Sequence, residues 1–379
     1  MKFADVVVTG IGVESPGGRY DTEEQSLLPN IVQGRSGISQ VPFSDDKLEF
    51  KVWGRCPWVT RESIRAVLPT DQRRMLRWFS RNTELAIAAG DAALKHSGIL
   101  QQVEPQRFGV LTASDAQDLP LEAFLSVAKE LADDEQFADA NVIRAMSRNC
   151  GGSDWMIRTV PFNPAMALGA LANASGLSLN FATACAASLV ALGEAYWAIR
   201  TGRQDAILAG GVYGRLTPAS IAGLLALREI VSPSGPPDMA PEAVCRPFDA
   251  GRNGIVLSEG AAFLVLESRE HAERRGAQVL AELKGYGLTT APGKIVEPDA
   301  KWFAEAISES LRWAGVARDS VGHVSAHATS TQLGDVAECE AIRAVIGSEV
   351  PVTSLKSTQG HLIIASGAMA AATEVLALQ

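Results

Sequence analysis

The sequence predicts a layered α/β fold built from two copies of one unit, and two pairs of matching segments carry this prediction. Residues 83–114 give a predicted helix, the residues SGI, a charged loop, a predicted strand and the residues TAS. Residues 302–330 give the same order, with AGV in place of SGI and ATS in place of TAS. Residues 177–198 and 350–378 each give a strand, chemically reactive side chains and an Ala-rich helix. Few residues are identical between the copies, but their order and spacing agree, which is typical of a duplicated unit.

We expect two halves, residues 1–275 and 276–379. In the first half two further strands, DAILAGG at 205–211 and GAAFLVLE at 260–267, follow the Ala-rich helix. The printed sequence stops at Gln379 before any counterpart of these strands. We therefore expect the second unit to lack its final two strands.

The other elements follow from hydrophobic periodicity and turn residues. Residues 6–9 are expected to form a strand that ends at the turn 10–12, and residues 70–99 to form one amphipathic helix. The acidic segment 115–141 is expected to be helix and exposed insertion. The Pro-rich segment 232–241 is expected to be a loop.

Composition excludes several classes of protein. The chain has 379 residues, of which 47% are hydrophobic and 20% charged, as in globular proteins, and its net charge of −9 argues against nucleic acid as a partner. No apolar run reaches membrane-spanning length, and the first residues lack the features of a signal peptide. The five cysteines are widely spaced without a C-x-x-C pair, which argues against a disulfide framework and a zinc site and favours the reducing cytoplasm.

Cys185 lies where a short predicted strand meets a long Ala/Leu-rich helix. A thiol in the first turn of a helix lies near unpaired N–H groups and the positive end of the helix dipole, which favours the reactive thiolate. This placement suits a covalent nucleophile. The alternative is a small apolar filler among alanines.

Two histidines lie at comparable junctions. His327 follows the apolar strand 321–326 and opens the polar run HATSTQLGD, while His361 precedes an Ala/Ile-rich helix at the position that the repeat makes equivalent to the neighbourhood of Cys185. If the two units pack symmetrically, His361 approaches Cys185. Two neutral imidazoles that donate N–H groups beside a thiolate suit a reaction that develops negative charge on a carbonyl oxygen. Taken singly, each histidine could instead be structural.

Lys356 precedes His361 by five residues, next to an otherwise apolar element. A lysine in such a place needs a charged partner, and Glu338 and Asp335 are the candidates. The alternative is an ordinary surface lysine.

Four arginines lie within about two and a half turns of the predicted helix at 70–99. Such a basic stretch is either a solvated face or a docking site for an acidic protein or a phosphate group. The four are Arg73, Arg74, Arg77 and Arg81.

Four segments resemble the β-ketoacyl-acyl carrier protein synthases of the thiolase superfamily, most closely the elongating type. They are TACAAS around Cys185, RPFDAGRNGIVLSEGAA at 246–262, HATSTQLGDVAE at 327–338 and LKSTQGHLIIASGA at 355–368. Each segment alone is a weak signal, but the four in this order and spacing are very specific, and the resemblance covers nearly the whole chain. It implies a layered αβαβα thiolase-like fold.

The resemblance also implies a role for each matching residue. It makes Cys185 the acylated nucleophile, and His327 and His361 the pair that drives decarboxylation and stabilises the enolate. The further implied roles are a supporting charged pair of Lys356 and Glu338, contacts of Thr329 and Thr331 to the phosphopantetheine arm, and carrier-protein docking by Arg73 and Arg74.

The implied reaction is a decarboxylative condensation. An acyl thioester on Cys185 reacts with a malonyl carrier protein to give a 3-oxoacyl product, in fatty-acid or polyketide biosynthesis, without a metal or redox cofactor. The implied partners are an acyl carrier protein and a second subunit, in a homodimer or a ketosynthase/chain-length-factor heterodimer. The alternatives are a specialised polyketide ketosynthase and, from another class, a non-catalytic partner subunit that resembles chain-length factors. The reactive triad Cys185, His327 and His361 argues against the last, because a partner subunit has no use for a nucleophile.

The chain departs from the family pattern at four places. Ala328 replaces the glycine after the histidine and is expected to add a methyl group beside the site, while Asn253 and Ser258 replace an aspartate and a glycine. The Gly-rich loop that the family has after the last helix is absent from the printed sequence. In the family that loop supplies one of two backbone N–H donors to the oxyanion, so we expect weak condensation unless another chain supplies it.

Overall fold

The computed structural model describes residues 3–43, 50–118, 121–132, 139–150, 154–227, 239–293 and 297–379. Its strands are β1 (Val6–Ser15), β2 (Gly18–Tyr20), β3 (Ile38–Gln40), β4 (Val52–Gly54), β5 (Phe108–Ala113), β6 (Ser178–Phe181), β7 (Ala206–Tyr213), β8 (Gly260–Ser268), β9 (Ala281–Leu283), β10 (Val324–Ser325) and β11 (Val352–Thr353). Its α-helices are α1 (Leu27–Val32), α2 (Arg61–Val67), α3 (Arg81–Ser97), α4 (Leu121–Glu130), α5 (Asp139–Asn149), α6 (Asp154–Thr159), α7 (Asn163–Ala172), α8 (Ala187–Arg200), α9 (Pro218–Leu225), α10 (Arg269–Arg274), α11 (Ala300–Ala314), α12 (Gln332–Val345), α13 (Lys356–Gln359) and α14 (Ser366–Ala377).

In the described part of the chain, seven strands form one mixed sheet. Their order is β2-β1-β8-β7-β5-β6, and β9 also pairs with β1. The pairs β5/β6 and β5/β7 are parallel, whereas β7/β8 and β8/β1 are antiparallel. Strands β1 and β7 are buried along their whole length, as expected for apolar strands that are covered on both faces.

Helices cover both faces of this sheet. One apolar core joins the sheet to α3 and α7, through residues such as Leu85 and Leu168. The other joins it to α8 and α14, through residues such as Leu192 and Met369. The Cys185 helix and the His361 helix therefore lie in the same layer, which brings the two halves of the chain together.

A second, smaller sheet pairs β10 with β11 in parallel, with Val324 opposite Val352. Ile307 of α11 and Ile342 of α12 pack against it and form a separate apolar cluster. The predicted layered α/β architecture is confirmed. The boundary near residue 275 and the loss of two final strands stay predictions. None of the helices in the described ranges is long and apolar enough to cross a membrane.

Strand β1 is longer than expected, because residues 10–12 do not form a turn. They continue the strand after an irregularity in its pairing with β8 between Val8 and Gly10. A Cβ atom at Gly12 would collide with the carbonyl oxygen of Ala89 in α3. The glycines thus let the strand lie against the helix instead of turning the chain.

The prediction of a single helix over residues 70–99 is wrong. The chain forms a 3₁₀ turn at Arg73–Trp78, and α3 begins only at Arg81. The break has a local cause, since the Ser80 side chain accepts a hydrogen bond from the backbone N–H of Thr83 and caps the new helix. The arginines of the basic stretch therefore do not share one helical face.

Two other expected segments are only partly described. Helix α4 lies inside the acidic segment 115–141 and exposes its apolar side chain Phe124, in line with an exposed helical insertion. Most of the Pro-rich segment 232–241 lies outside the described residues.

Substituting Gly12→Ala should lower the free energy of unfolding by about 1–3 kcal/mol, because the added methyl group separates β1 from α3. Denaturant unfolding followed by circular dichroism measures the change. The matched control is Gly223→Ala in α9, where a Cβ atom meets no atom within 4 Å and the helical propensity of alanine favours stability. Equal effects of the two substitutions would contradict the close packing of β1 on α3.

Candidate active site

A strained turn places Cys185 at the start of α8. Strand β6 ends at Phe181, and Ala184 then adopts a left-handed backbone conformation with φ of 48°. This conformation is unfavourable for a residue with a Cβ atom, and such strain is concentrated at functional sites. Cys185 follows in the 3₁₀ turn Ala184–Ala186, with its thiol half-buried.

The second unit repeats this turn before α14. Ile363 has φ of 40° and begins the 3₁₀ turn Ile363–Ala365, which leads directly into the helix. His361 lies two residues before the turn. The paired helix starts expected from the repeat are therefore present.

The two turns bring their reactive groups into contact. The Sγ atom of Cys185 lies 3.0 Å from Nε2 of His361. The rings of His361 and His327 meet edge to face, with centroids 5.3 Å apart and an interplanar angle of 80°. One potential ligand atom from each of the three side chains lies within 4.8 Å of the other two, so this cluster is also where a cation would find donors.

The segment 246–262, which we call the crossing segment, holds His361 in place. The His361 backbone N–H donates to the carbonyl oxygen of Val256 at 2.7 Å, and the Ser258 N–H donates to the carbonyl oxygen of His361 at 3.1 Å. Nδ1 of the imidazole lies 2.8 Å from Oγ of Ser366, the first residue of α14. Sequence reasoning missed Ser366, although its spacing of five residues from His361 across a helix start was a usable signal.

Glu338 holds the loop that carries His327. Its two carboxylate oxygens accept the backbone N–H groups of His327 and Ala328 at 2.7 and 2.6 Å. The same loop continues to Thr329 and Thr331, whose hydroxyl oxygens lie 3.0 Å apart. The carboxylate therefore fixes the direction in which this loop leaves β10.

The crossing segment also supports this loop. The Gly254 N–H donates to the carbonyl oxygen of Ser330 at 2.7 Å, and the Arg252 guanidinium donates to the carbonyl oxygens of Thr331 and Gln332. One segment of the first half thus holds both histidine-bearing loops of the second half.

Lys356 is buried beside the three reactive side chains, yet it is not part of a contact pair with Glu338. The ion pairs of the described residues, taken to 4.0 Å, do not include Lys356, and Asp335 lies 3.5 Å from Arg252 instead. Burial lowers the pKa of Lys356, whereas Glu338 and Cys185 act in the opposite direction. The structure brings Lys356 and Glu338 into one electrostatic environment without a hydrogen bond between them.

Both histidines are held neutral. Burial lowers the pKa of His361 well below its usual value, and the Lys356 cation adds to the effect. The His327 side chain exposes surface to solvent, yet the protein atoms around its ring reduce its hydration, and this desolvation together with the Lys356 cation lowers its pKa as well. At neutral pH each imidazole therefore carries one proton and can donate one N–H.

The thiol of Cys185 differs from the sequence-based expectation. Burial raises its pKa, and the Lys356 cation opposes this only in part. The helix start alone therefore does not make the thiolate the favoured form. Of the other cysteines, Cys339 is exposed, whereas Cys56, Cys150 and Cys245 are buried.

The two predicted docking arginines differ in exposure. Arg74 is exposed and lines a groove of about 460 Å³ together with Met75, Arg77 and Trp78. Arg73 is half-buried, and its Nε donates to the carbonyl oxygen of Leu68 at 3.3 Å.

Two of the departures from the family pattern have a structural account. The methyl group of Ala328 packs with Ala326 and Ile342 in the cluster beneath the second sheet, so it adds to that core as well as lying next to His327. Ser258 fits beside Gly54 and Gly360, where a Cβ atom on either glycine would collide with its hydroxyl group. Nothing in the contacts of the described residues explains Asn253.

Relatives with assigned names match nearly the whole chain. A 3-oxoacyl-[acyl-carrier-protein] synthase 2 of Vibrio harveyi is 32% identical over 389 residues, which covers 100% of this chain and 86% of that protein. A putative mitochondrial 3-oxoacyl-[acyl-carrier-protein] synthase of Schizosaccharomyces pombe is also 32% identical, with 99% of this chain and 86% of that protein covered.

Solved structures agree with these relatives. A β-ketoacyl synthase from Burkholderia phymatum STM815 superimposes with a TM-score of 0.82 at 28% identity, covering 98% of this chain and 86% of that one. The ketosynthase complex AntDE:AntF, described as a type II PKS acyl-carrier protein with its ketosynthase bound to the hexaketide, gives a TM-score of 0.79 at 27% identity, covering 99% and 86%.

The family models divide the chain into two matched regions. The beta-ketoacyl synthase N-terminal domain matches residues 4–272, and the beta-ketoacyl synthase C-terminal domain matches residues 280–379. Together with the paired turns that join Cys185 to His361, these matches identify the chain as a member of the beta-ketoacyl synthase family.

Proposed function

We propose that this enzyme joins an acyl group held on Cys185 to a malonyl carrier protein, with loss of CO₂, and releases a 3-oxoacyl carrier protein. The observation that carries the proposal is the 3.0 Å contact between Sγ of Cys185 and Nε2 of His361, with the second imidazole of His327 beside it. A nucleophile and two N–H donors around one small volume are what this condensation requires.

The first step transfers the acyl group. The Cys185 sulfur attacks the carbonyl carbon of the acyl carrier thioester, the bond from that carbon to the carrier sulfur breaks, and the carrier thiol leaves with the proton. The Lys356 cation supports the thiolate against the effect of burial, because it lowers the pKa of Cys185.

The second step generates the carbon nucleophile. The bond between the malonyl methylene carbon and its carboxylate breaks, CO₂ leaves, and the electron pair moves into an enolate whose oxygen accepts N–H groups from His327 and His361. Neutral imidazoles suit this task, since burial and the nearby cation keep their pKa values low. The enolate carbon then attacks the acyl carbonyl, and Cys185 leaves as a thiolate.

Thr329 and Thr331 would contact the phosphopantetheine arm. They lie on the loop that Glu338 and the crossing segment hold beside His327, and their hydroxyl groups are 3.0 Å apart. Hydroxyl groups at that place suit the amide groups of an extended arm. The arm is part of the substrate, and the proposed steps use no metal or redox cofactor.

We propose that the carrier protein docks at the groove beside Arg74. The groove exposes guanidinium groups next to the ring of Trp78, over which the Arg77 guanidinium lies at 4.4 Å. An acidic partner would be attracted to these charges. AntDE:AntF, which contains an acyl-carrier protein with its ketosynthase, supports a carrier as the partner.

A second subunit is proposed to pair at the free edge of β6. This strand ends the described sheet, and Leu179 on it is 42% exposed. Leu189 of α8 and Met166 of α7, on the two helices that flank the strand, are also exposed. An unpaired edge beside exposed apolar side chains is typical of a subunit interface.

We propose the biosynthetic pathway and the cellular compartment of this enzyme only in general terms. Fatty-acid and polyketide substrates share the chemistry above, and the matches include a 3-oxoacyl-[acyl-carrier-protein] synthase 2 and a ketosynthase with a type II PKS acyl-carrier protein. The five free cysteines support a reducing compartment such as the cytoplasm. A non-catalytic partner subunit is disfavoured, because the chain assembles Cys185 and His361 within hydrogen-bonding distance.

His327→Ala and His361→Ala should lower malonyl decarboxylation by about 100-fold or more, because each removes a donor to the enolate oxygen. Acylation of Cys185 should persist at least in part. CO₂ release measures the first property, and intact-protein mass spectrometry after incubation with an acyl thioester measures the second. Cys185→Ala is the control that abolishes the mass increase, and loss of acylation in both histidine variants would overturn the assigned roles.

The double substitution Arg73→Glu/Arg74→Glu should raise the apparent KM for carrier-protein substrates and leave that for small acyl-thioester mimics nearly unchanged. A docking surface acts on the carrier and not on the chemistry. Steady-state kinetics with both substrate types tests this. Arg312→Glu/Arg318→Glu provides a control with the same charge change on two exposed arginines elsewhere, and an equal rise in KM from both doubles would refute docking at the groove.

Leu179→Asp should convert a dimer into monomers, because it places a charge at the proposed edge-to-edge interface. Light scattering coupled to size-exclusion chromatography measures the molar mass. Leu288→Asp is the matched control, since Leu288 is 49% exposed and lies outside β6. An unchanged molar mass for Leu179→Asp would place the interface elsewhere.

A further inference from the structure

We infer that Ser366 is a positioning residue that holds His361 in the tautomer with the proton on Nε2. This inference rests on the proposed function, since it specifies which nitrogen of His361 faces the reacting atoms. It concerns a residue outside the roles assigned above to Cys185, His327, Lys356 and Glu338. Three observations carry it.

The first observation is the hydrogen bond itself. Oγ of Ser366 lies 2.8 Å from Nδ1 of His361, and both residues are buried, with 8% and 1% of their surfaces exposed. The imidazole is the one hydrogen-bond partner found for this hydroxyl group among the described residues. If the hydroxyl group instead accepted a hydrogen bond from Nδ1–H, its own hydrogen would have no partner among the described residues, which costs free energy in a buried place. Donation from Oγ to Nδ1 avoids that cost.

The second observation is the charge of Lys356, which lines the same small cavity as Ser366. A cavity of about 10 Å³, enough for one water molecule at most, is lined by both Ser366 and Lys356, together with Ser325 and Gln359. A cation near a hydroxyl group attracts the oxygen end of its dipole and favours a hydrogen that points away from the charge. The imidazole is the partner found for this hydroxyl group among the described residues, so a hydrogen that points away from the cation is satisfied by donation to Nδ1.

The third observation is the position of the other ring nitrogen. Because His361 is neutral, a proton on Nε2 leaves Nδ1 as an acceptor, and the Nε2–H then faces Sγ of Cys185 at 3.0 Å. His361 in this state donates to the sulfur and later to the substrate oxygen. It is not the base that removes the thiol proton. The opposite tautomer would present a lone pair to both groups and would repel an enolate oxygen.

The direct test reads the tautomer in the resting protein. In the full chain labelled with ¹⁵N-histidine, long-range ¹H–¹⁵N spectra distinguish a protonated ring nitrogen from an unprotonated one, and His361→Gln identifies the signals of His361 among the five histidines. We expect Nδ1 unprotonated and Nε2 protonated. A protonated Nδ1 overturns the inference, and this result does not depend on whether the enzyme condenses.

The kinetic test uses Ser366→Ala. Losing the hydrogen bond should let both tautomers occur and lower kcat for malonyl decarboxylation about tenfold, with little change in KM. Ser366→Thr should restore kcat, since it keeps the hydroxyl group that bonds Nδ1. The control is Thr373→Val in the same helix, which removes a buried hydroxyl group whose hydrogen bond among the described residues is to the backbone carbonyl of Met369.

The outcomes separate this inference from the proposed function. An unchanged tautomer and kcat in Ser366→Ala overturn the positioning role, while the function stands if His361→Gln still abolishes decarboxylation. If His361→Gln keeps full decarboxylation, the proposed function fails, and the spectra still report the tautomer. An equal loss of kcat in Ser366→Ala, Ser366→Thr and Thr373→Val would show a general disturbance of α14 and would also overturn the inference.

Discussion

The contact between Cys185 and His361 is the constraint on which the rest of the structure depends, because it joins the two halves of the chain at 3.0 Å. Each partner reaches it through a turn that contains one left-handed residue, Ala184 in the first half and Ile363 in the second. Such conformations persist only where the surroundings impose them. The shared layer of α8 and α14 provides those surroundings, since the two helices pack in one apolar core beneath the main sheet.

The buried ammonium group of Lys356 influences the pKa values of three reactive side chains in the site. Desolvation lowers the pKa values of His327 and His361 and the charge of Lys356 adds to this effect, which keeps both imidazoles neutral, while the same charge partly offsets the burial that raises the pKa of Cys185. One charge therefore favours the anionic form of the nucleophile and the neutral form of both donors. It serves three groups without an ion pair to any acidic residue in the described part of the chain.

The sequence predicted the layered fold and the meeting of Cys185 with His361, because strand–helix junctions and their chemistry repeat along the chain. It could not predict the helix break at Ser80, because capping competes with a periodicity that looks continuous. It also missed the raised pKa of Cys185, since the local dipole is visible in sequence whereas burial is a tertiary property. The contact of Ser366 with His361 likewise depends on how α14 begins.

The crossing segment has a consequence for how such a protein diverges. Residues 246–262 belong to the half that carries the nucleophile, yet their backbone and the Arg252 side chain support the loops of His327 and His361 in the other half. The tight fit of Ser258 against Gly360 is one point where the halves must match. Substitutions in one half are thus coupled to those in the other, so chimeras that exchange halves between relatives would have to exchange the crossing segment together with the histidine loops.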